Sequence, residues 1–204
     1  MINKSTYNPA IHHRRSTRLK GYDYTKAGLY FITICCRDRI CRFGHIVGAG
    51  FTPALDSHAT PSQNKHPIPD NHPASARMIL NEWGEIAYRE WVKLPERFTT
   101  VELDVFQLMP NHMHGIIILT EPVGQTDDWA RVNRAPTVGD VVGAYKSLVA
   151  NACLAVCKSK NETIGKLWQR NYYEHIIRHE AAYQHISDYI IHNPSTWYED
   201  RFYS

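Results

Sequence analysis

The stretch "VELDVFQLMPNHMHGIIIL", residues 101–119, limits the possible folds more than any other part of the chain. Residues 101–109 alternate in polarity with the two-residue period of a strand, and 112–119 continue as a β-branched, apolar run. Pro110-Asn111 between them suits a tight turn, because proline presets φ and asparagine tolerates the bridge or left-handed region. The pattern predicts an antiparallel hairpin whose second strand belongs in an interior, yet that strand carries two imidazoles. Positions i and i+2 of a strand share a face, so His112 and His114 project side by side while Met113 and Gly115 turn the other way. Spacing alone proves little, since twelve histidines in 204 residues give about 0.7 such pairs by chance.

The rest of the chain supplies partners for the hairpin. "LYFITICC" (29–36) predicts a strand, and "CRFGHIV" (41–47) a second one after the charged turn "RDR". Residues 48–75 hold five prolines among polar residues and predict a long surface loop without regular structure. Over 76–98 the helical spacing of Ile79, Trp83, Ile86 and Glu90 predicts a helix with one core-facing stripe from 79 to 87, stopping before Pro95. Residues 121–136 read as another polar loop. Thr137 and Asp140 then form a capping-box variant ahead of a long helix. "NYYEHIIR" (171–178) predicts a strand, followed by a closing helix with Tyr183, Ile186 and Ile190 as its apolar stripe and Pro194 at its end. This order predicts an α+β fold: an antiparallel sheet with helices packed on one face. Residues 1–20 read as a mobile basic arm, and 21–204 as one domain; the chain as a whole is 43% hydrophobic, enough for a core.

Charge excludes little. The net +3, from 23 basic and 20 acidic residues, is too mild to identify a nucleic-acid partner. Its distribution says more: basic residues gather at 12–20, 37–42 and 166–178, the last two interleaved with apolar or aromatic side chains. Five cysteines, an odd count, with no leader-like segment ahead of them, predict a reduced cytoplasmic setting. No stretch reads as the run of about 20 apolar residues that a membrane span needs, so no membrane partner is expected.

Cys153, Cys157, His175 and His179 imitate a zinc-site spacing, but the cysteines sit mid-helix in "ANACLAVC" and His175 in a strand, which the geometry of a finger does not allow. On the closing helix, Tyr189 and Asn193 stand four apart on one face, with His185 a turn earlier. A phenol is a possible nucleophile, and an amide carbonyl suits a hard cation. Taken singly, each also has a plain structural role, a half-buried aromatic and a helix cap before proline.

Together, "RLKGYDYTKAGLYFITICCRDRICRFG", "WGEIAYREWVKLPERFTTVELDVFQLMPNHMHGIIIL", "VGDVVGAYKSLVAN" and "LWQRNYYEHIIRHEAAYQHISDYIIHNPSTW" resemble the REP-associated tyrosine transposases, within the single-tyrosine HUH class of insertion-sequence transposases. The resemblance spans nearly the whole chain apart from the arm and the 48–75 loop. It implies a ferredoxin-like sheet and assigns the His-hydrophobic-His element to His112, Met113 and His114, the nucleophile to Tyr189 and the third metal ligand to Asn193. The activity it implies is a transposase's: cleavage of single-stranded DNA near a hairpin, leaving a 5′-phosphotyrosine link and a free 3′-hydroxyl. The implied cofactor is a divalent metal, Mg²⁺ or Mn²⁺, with two imidazoles better suited to Mn²⁺. No nucleotide cofactor is implied, and the protein is expected in the cytoplasm with the nucleoid, as a monomer or a homodimer. Arg14, Arg15, Arg18, Lys20, Lys146, Arg170 and Arg178 are candidate phosphate contacts, with Trp168 and Tyr172 available to stack on unpaired bases. Tyr172 and Tyr173 are rival nucleophiles on a strand, without an amide at the partner spacing. Two other functions stay open: a non-catalytic hairpin binder derived from a transposase, and a metal phosphoesterase that uses water.

Overall fold

A computed structural model describes residues 23–48, 76–121 and 135–203. In chain order the elements are β1 (Gly28–Cys35), a 3-10 turn (Arg37–Arg39), β2 (Gly44–Val47), β3 (Arg77–Leu80), α1 (Glu82–Val92), α2 (Leu94–Arg97), β4 (Val101–Leu108), β5 (His112–Leu119), α3 (Val138–Ser159), β6 (Tyr173–Ile177), α4 (Glu180–His192) and a closing 3-10 segment (Asn193–Glu199). The basic arm with Arg14, Arg15, Arg18 and Lys20 lies outside the described residues, as does all of the 48–75 loop except Gly48.

The hairpin forms, with Leu108 opposite Met113 and Val101 opposite Leu119. β1 lies antiparallel against β5, and β6 against β1, giving the sheet order β4-β5-β1-β6. Two split β-α-β units interlock: β1-α1-β4 encloses β5, and β5-α3-β6 encloses β1. This is the ferredoxin-like arrangement.

Alternation along the two central strands sorts the molecule into layers. Tyr30, Ile32 and Ile34 of β1 join Met113 and Ile117 of β5 in the main core, against Ile86, Ala87 and Trp91 of α1 and Val138, Val141, Val142, Tyr145 and Val149 of α3. The crossover helices thus share one face. The opposite face offers Phe31, Ile116 and Ile177, and α4 covers it with Tyr183, Ile186 and Ile190. β5 is consequently buried on both sides, which explains why its sequence runs apolar instead of alternating.

Three sequence readings need correction. Residues 77–80 are strand, not helix: β3 pairs with β2 in a separate two-stranded sheet, where Ile79 faces His45. The helix starts at its cap Asn81, whose side chain accepts from the amides of Trp83 and Gly84 at 3.0 Å each. The apolar residues at 79, 83 and 86 share a spacing but not an element, and cross-strand pairing together with that cap decides the boundary. Second, "CRFGHIV" supplies the expected strand, but that strand joins the small sheet and not the main one. Third, α3 is long and apolar enough to cross a membrane by length and composition, although its buried side chains pack into the main core. Its start is as expected: Asp140 N–H donates to Thr137 Oγ1 (3.1 Å), and Thr137 N–H to Asp140 Oδ2 (2.8 Å).

Candidate active site

The central position of β5 buries both imidazoles, with His112 opposite Cys35 and His114 opposite Thr33 on β1. Their side chains point away from the crossover helices, toward α4. That helix is held by its apolar stripe and by Tyr183, whose hydroxyl donates to Asp104 Oδ2 (2.8 Å) at the bulge in β4. The same placement turns Tyr189 and Asn193 onto the histidines. Tyr189 Oη lies 3.2 Å from His114 Nε2, and its ring meets His114 at 5.1 Å and Phe31 edge-on at 6.3 Å. A cleft of about 470 Å³ opens here, lined by Phe31, His114, Tyr189, Asn193, Thr196, Glu199, Asp200 and Arg201.

Hydrogen bonds orient each ring. Asn111 Nδ2 donates to the carbonyls of Arg39 (2.9 Å) and Phe202 (2.8 Å), which turns its Oδ1 toward His112 Nδ1 at 2.8 Å. An amide oxygen can only accept, so His112 carries its proton on Nδ1 and presents a lone pair at Nε2. That nitrogen is 3.0 Å from His114 Nε2. Two lone pairs at this distance repel, so something must lie between them: the hydrogen of a neutral His114 protonated on Nε2, or a cation. Thr33 Oγ1, 2.7 Å from His114 Nδ1, permits both, since a hydroxyl can donate to a bare Nδ1 or accept from a protonated one.

Asp200 completes the group, and the sequence reading missed it. Its Oδ2 accepts from Asn193 Nδ2 (2.9 Å) and lies 3.9 Å from His112 Nε2, while its Oδ1 accepts from the Phe202 amide (2.7 Å). His112, His114 and Asp200 offer ligand atoms all within 4.8 Å of one another, a group that can hold a metal ion. Burial drives the pKa of His112 down to about 4, against the upward pull of Asp200, and drives His114 well below the usual range. Both rings are therefore neutral at pH 7, so the approach of Asp200 to His112 is not an ion pair there.

The donor set suits a divalent cation. Two neutral imidazole nitrogens, a carboxylate and an amide converge, and Asn193 Oδ1 is buried without a hydrogen-bond partner, an orphan acceptor of the kind a cation satisfies. Burial, reinforced by the nearby Asp200 carboxylate, raises the Tyr189 pKa. The cleft thus opposes phenolate formation unless positive charge is added.

The other candidate residues lie elsewhere. Lys146 Nζ donates to the carbonyls of Gln169 (2.7 Å), Arg170 (3.1 Å) and Asn171 (3.4 Å), and burial lowers its pKa, so it braces that loop instead of facing outward. Arg170 and Arg178 are exposed. Trp168, expected as a possible stacking platform, is buried in the main core with its indole N–H on the Lys146 carbonyl (3.0 Å). Tyr172 is half-buried and bonds Glu174 (2.7 Å), whereas Tyr173 is 46% exposed. Cys153 and Cys157 are buried in α3, while His175 sits on β6 and His179 caps α4, so no zinc cluster forms from the four.

No protein-family model matches the chain. Among solved structures it is similar to a REP-associated tyrosine transposase bound to a REP hairpin, with a TM-score of 0.49 and 19% identity over 88% of this chain and 74% of that one. It is also similar to a putative transposase from Deinococcus radiodurans, with a TM-score of 0.37 and 16% identity over 85% of this chain and 95% of that one. In sequence it is 36% identical over 206 residues to a Haemophilus influenzae protein described as uncharacterized, covering 97% of each. The chain belongs to the same family as that Haemophilus protein.

Proposed function

We propose that this protein is a metal-dependent, single-tyrosine nuclease and strand transferase of the transposase kind, acting on single-stranded DNA beside a hairpin. The observation that carries this reading is the approach of a half-exposed phenol to within 3.2 Å of a buried histidine nitrogen, in the cleft where Asn193 Oδ1 has no partner. The hairpin enters through the sequence resemblance, and the solved transposase named above was bound to one.

His112 and His114 through Nε2, with Asp200 and Asn193 through oxygen, would hold the ion, and this mixed donor set suits Mn²⁺ better than Mg²⁺. When bound, such an ion supplies Lewis-acid polarisation of a phosphate oxygen and stabilises the charge that develops there. The chain does the rest. α4 holds the Tyr189 phenol at the rim of the cleft, and Phe31 against its ring limits its swing. Tyr189 Oη attacks the scissile phosphorus, a new O–P bond forms, and the P–O3′ bond breaks. The phenolic proton leaves and the departing 3′-oxygen takes one up, so neither water nor a nucleotide cofactor is consumed. The 5′-phosphotyrosine keeps the phosphodiester energy, and a second 3′-hydroxyl can reverse the step to join DNA.

The test is a denaturing gel. The protein is incubated with Mn²⁺ and an end-labelled hairpin oligonucleotide that has unpaired flanks. Wild type should form a denaturation-resistant adduct, Tyr189→Phe should bind DNA without forming one, and His114→Ala should lose metal-dependent cleavage. Cleavage surviving in Tyr189→Phe would point to a water-using phosphoesterase, and binding without any cutting to a regulator.

A further inference from the structure

Beside the metal cleft lies a second groove, of about 630 Å³, between the 3-10 turn after β1 and the loop that leads into β6. Arg37, Arg39 and Arg170 line it with Gln169, Asn171, Tyr172 and Tyr173, and Asp38 is its one carboxylate, paired with Arg37 Nε at 3.0 Å. Three guanidiniums against one carboxylate make it an anion-attracting surface.

Both of its walls are braced. Asp38 and Arg39 both hold positive φ, 57° and 55°, a left-handed conformation that costs non-glycine residues energy and collects at ligand-binding places. On the other wall, Lys146 gathers three successive carbonyls, from Gln169, Arg170 and Asn171. A trans peptide points its N–H opposite to its C=O, so the amides of Arg170, Asn171 and Tyr172 are turned away from that ammonium. One half-buried cation thereby fixes a loop that carries an exposed arginine and ends at an exposed aromatic ring.

Packed side chains link the groove to the metal cleft. Tyr173 meets Phe202 at 6.4 Å between ring centroids, and Phe202 meets His112 at 4.7 Å, so two ring contacts connect groove and ligand. Arg201 spans the junction, 5.8 Å from the Tyr173 ring and 4.7 Å from that of Phe202, and it also lines the cleft. Cationic side chains alternating with an exposed aromatic surface match a single strand of nucleic acid, whose phosphates repeat and whose bases each have a stacking face. A duplex hides those faces.

We propose that this groove is the binding track for the unpaired DNA flanking the scissile phosphate, with Arg37 and Arg170 on its phosphates and Tyr173 under a base. The proposal rests on the nuclease reading above, which supplies DNA as the polymer and the cleft as the point of cutting. Arg39 braces the track instead of contacting the strand, because its Nη1 donates to the Arg201 carbonyl (2.8 Å) and ties the turn to the cleft wall.

The test separates binding from cutting. Fluorescence anisotropy of the full-length protein in EDTA compares a blunt hairpin with the same hairpin carrying unpaired thymidine flanks at both ends. Wild type should prefer the flanked form by about tenfold or more. In the Arg37→Gln/Arg170→Gln variant that preference should fall below about threefold, and the slope of log affinity against log salt for the flanked form should shrink by about 1.4, from two single-strand phosphate contacts. Tyr173→Ala should lose roughly fivefold or more on the flanked form, as expected for a lost stacking platform. Iododeoxyuridine placed in the flanks should photocrosslink wild type at the peptide containing Tyr173, a readout that needs no variant. A wild type indifferent to the flanks, a double variant that keeps both preference and slope, or crosslinks confined to other peptides would overturn the proposal. Intact flank preference without adduct formation in Mn²⁺ would overturn the nuclease reading and leave the groove standing.

Discussion

His114 shows how much of the proposed site is decided by the atoms behind its candidate ligands. Its Nε2 can face a cation only if Nδ1 holds the proton, and Thr33 is the group that accepts it. Thr33→Val should therefore weaken Mn²⁺ binding by about 10-fold or more in isothermal titration, while Thr33→Ser, which keeps the hydroxyl, should stay within about threefold of wild type. Equal losses in both variants would mean that Thr33 only fills space. Asp200→Asn should weaken Mn²⁺ by a similar factor, because it removes the carboxylate of the donor set. The sequence displayed the two histidines, the tyrosine and the asparagine, since each pair shares a short periodic spacing. Thr33 and Asp200 were hidden for a physical reason. Thr33 meets His114 through strand register across 81 residues, and Asp200 returns to the cleft through a 3-10 segment that helical periodicity does not describe.

At the scale of elements, β5 is built to show different chemistry on its two sides. Gly115 follows His114 and faces the opposite layer, where a Cβ would stand 2.9 Å from Trp91 Cζ2 and 3.1 Å from Phe106 Cβ. The missing side chain lets the Trp91 indole of α1 lie against the sheet directly behind the histidines. Gly115→Ala should crowd that ring and lower stability by about 1–3 kcal/mol in urea unfolding, with Mn²⁺ binding weakened if the strand shifts. An unchanged midpoint would show that α1 can retreat at no cost. Element identity was largely legible: the hairpin, the capped α3, β1, β6 and the closing helix all follow from local pattern. The failure at 77–80 is instructive, because apolar residues at helical spacing there belong to a strand and then a helix, joined at Asn81. Only pairing with β2, whose partner lies beyond a long intervening segment, separates them. That the closing helix covers the face opposite the crossover helices was equally invisible, since its apolar stripe does not say which side of the sheet it meets.

Across the whole molecule, the two split β-α-β units fix where chemistry can occur. They cover one sheet face with helices and leave the other to α4, so the phenol, the imidazoles and the carboxylate meet within one chain. One polypeptide should therefore suffice for cutting. Mixing Tyr189→Phe with His114→Ala should restore no activity, whereas exchange of α4 between two subunits would bring an intact tyrosine to intact histidines and rescue it. The most direct test of the central claim is to find the covalent bond itself. After reaction with Mn²⁺ and a flanked hairpin, the protein is digested with protease and nuclease and its peptides are sequenced by mass spectrometry. The account predicts a nucleotide attached through phosphate to Tyr189. A nucleotide on Tyr172, Tyr173 or any other residue, or DNA cut with no modified peptide, would contradict it.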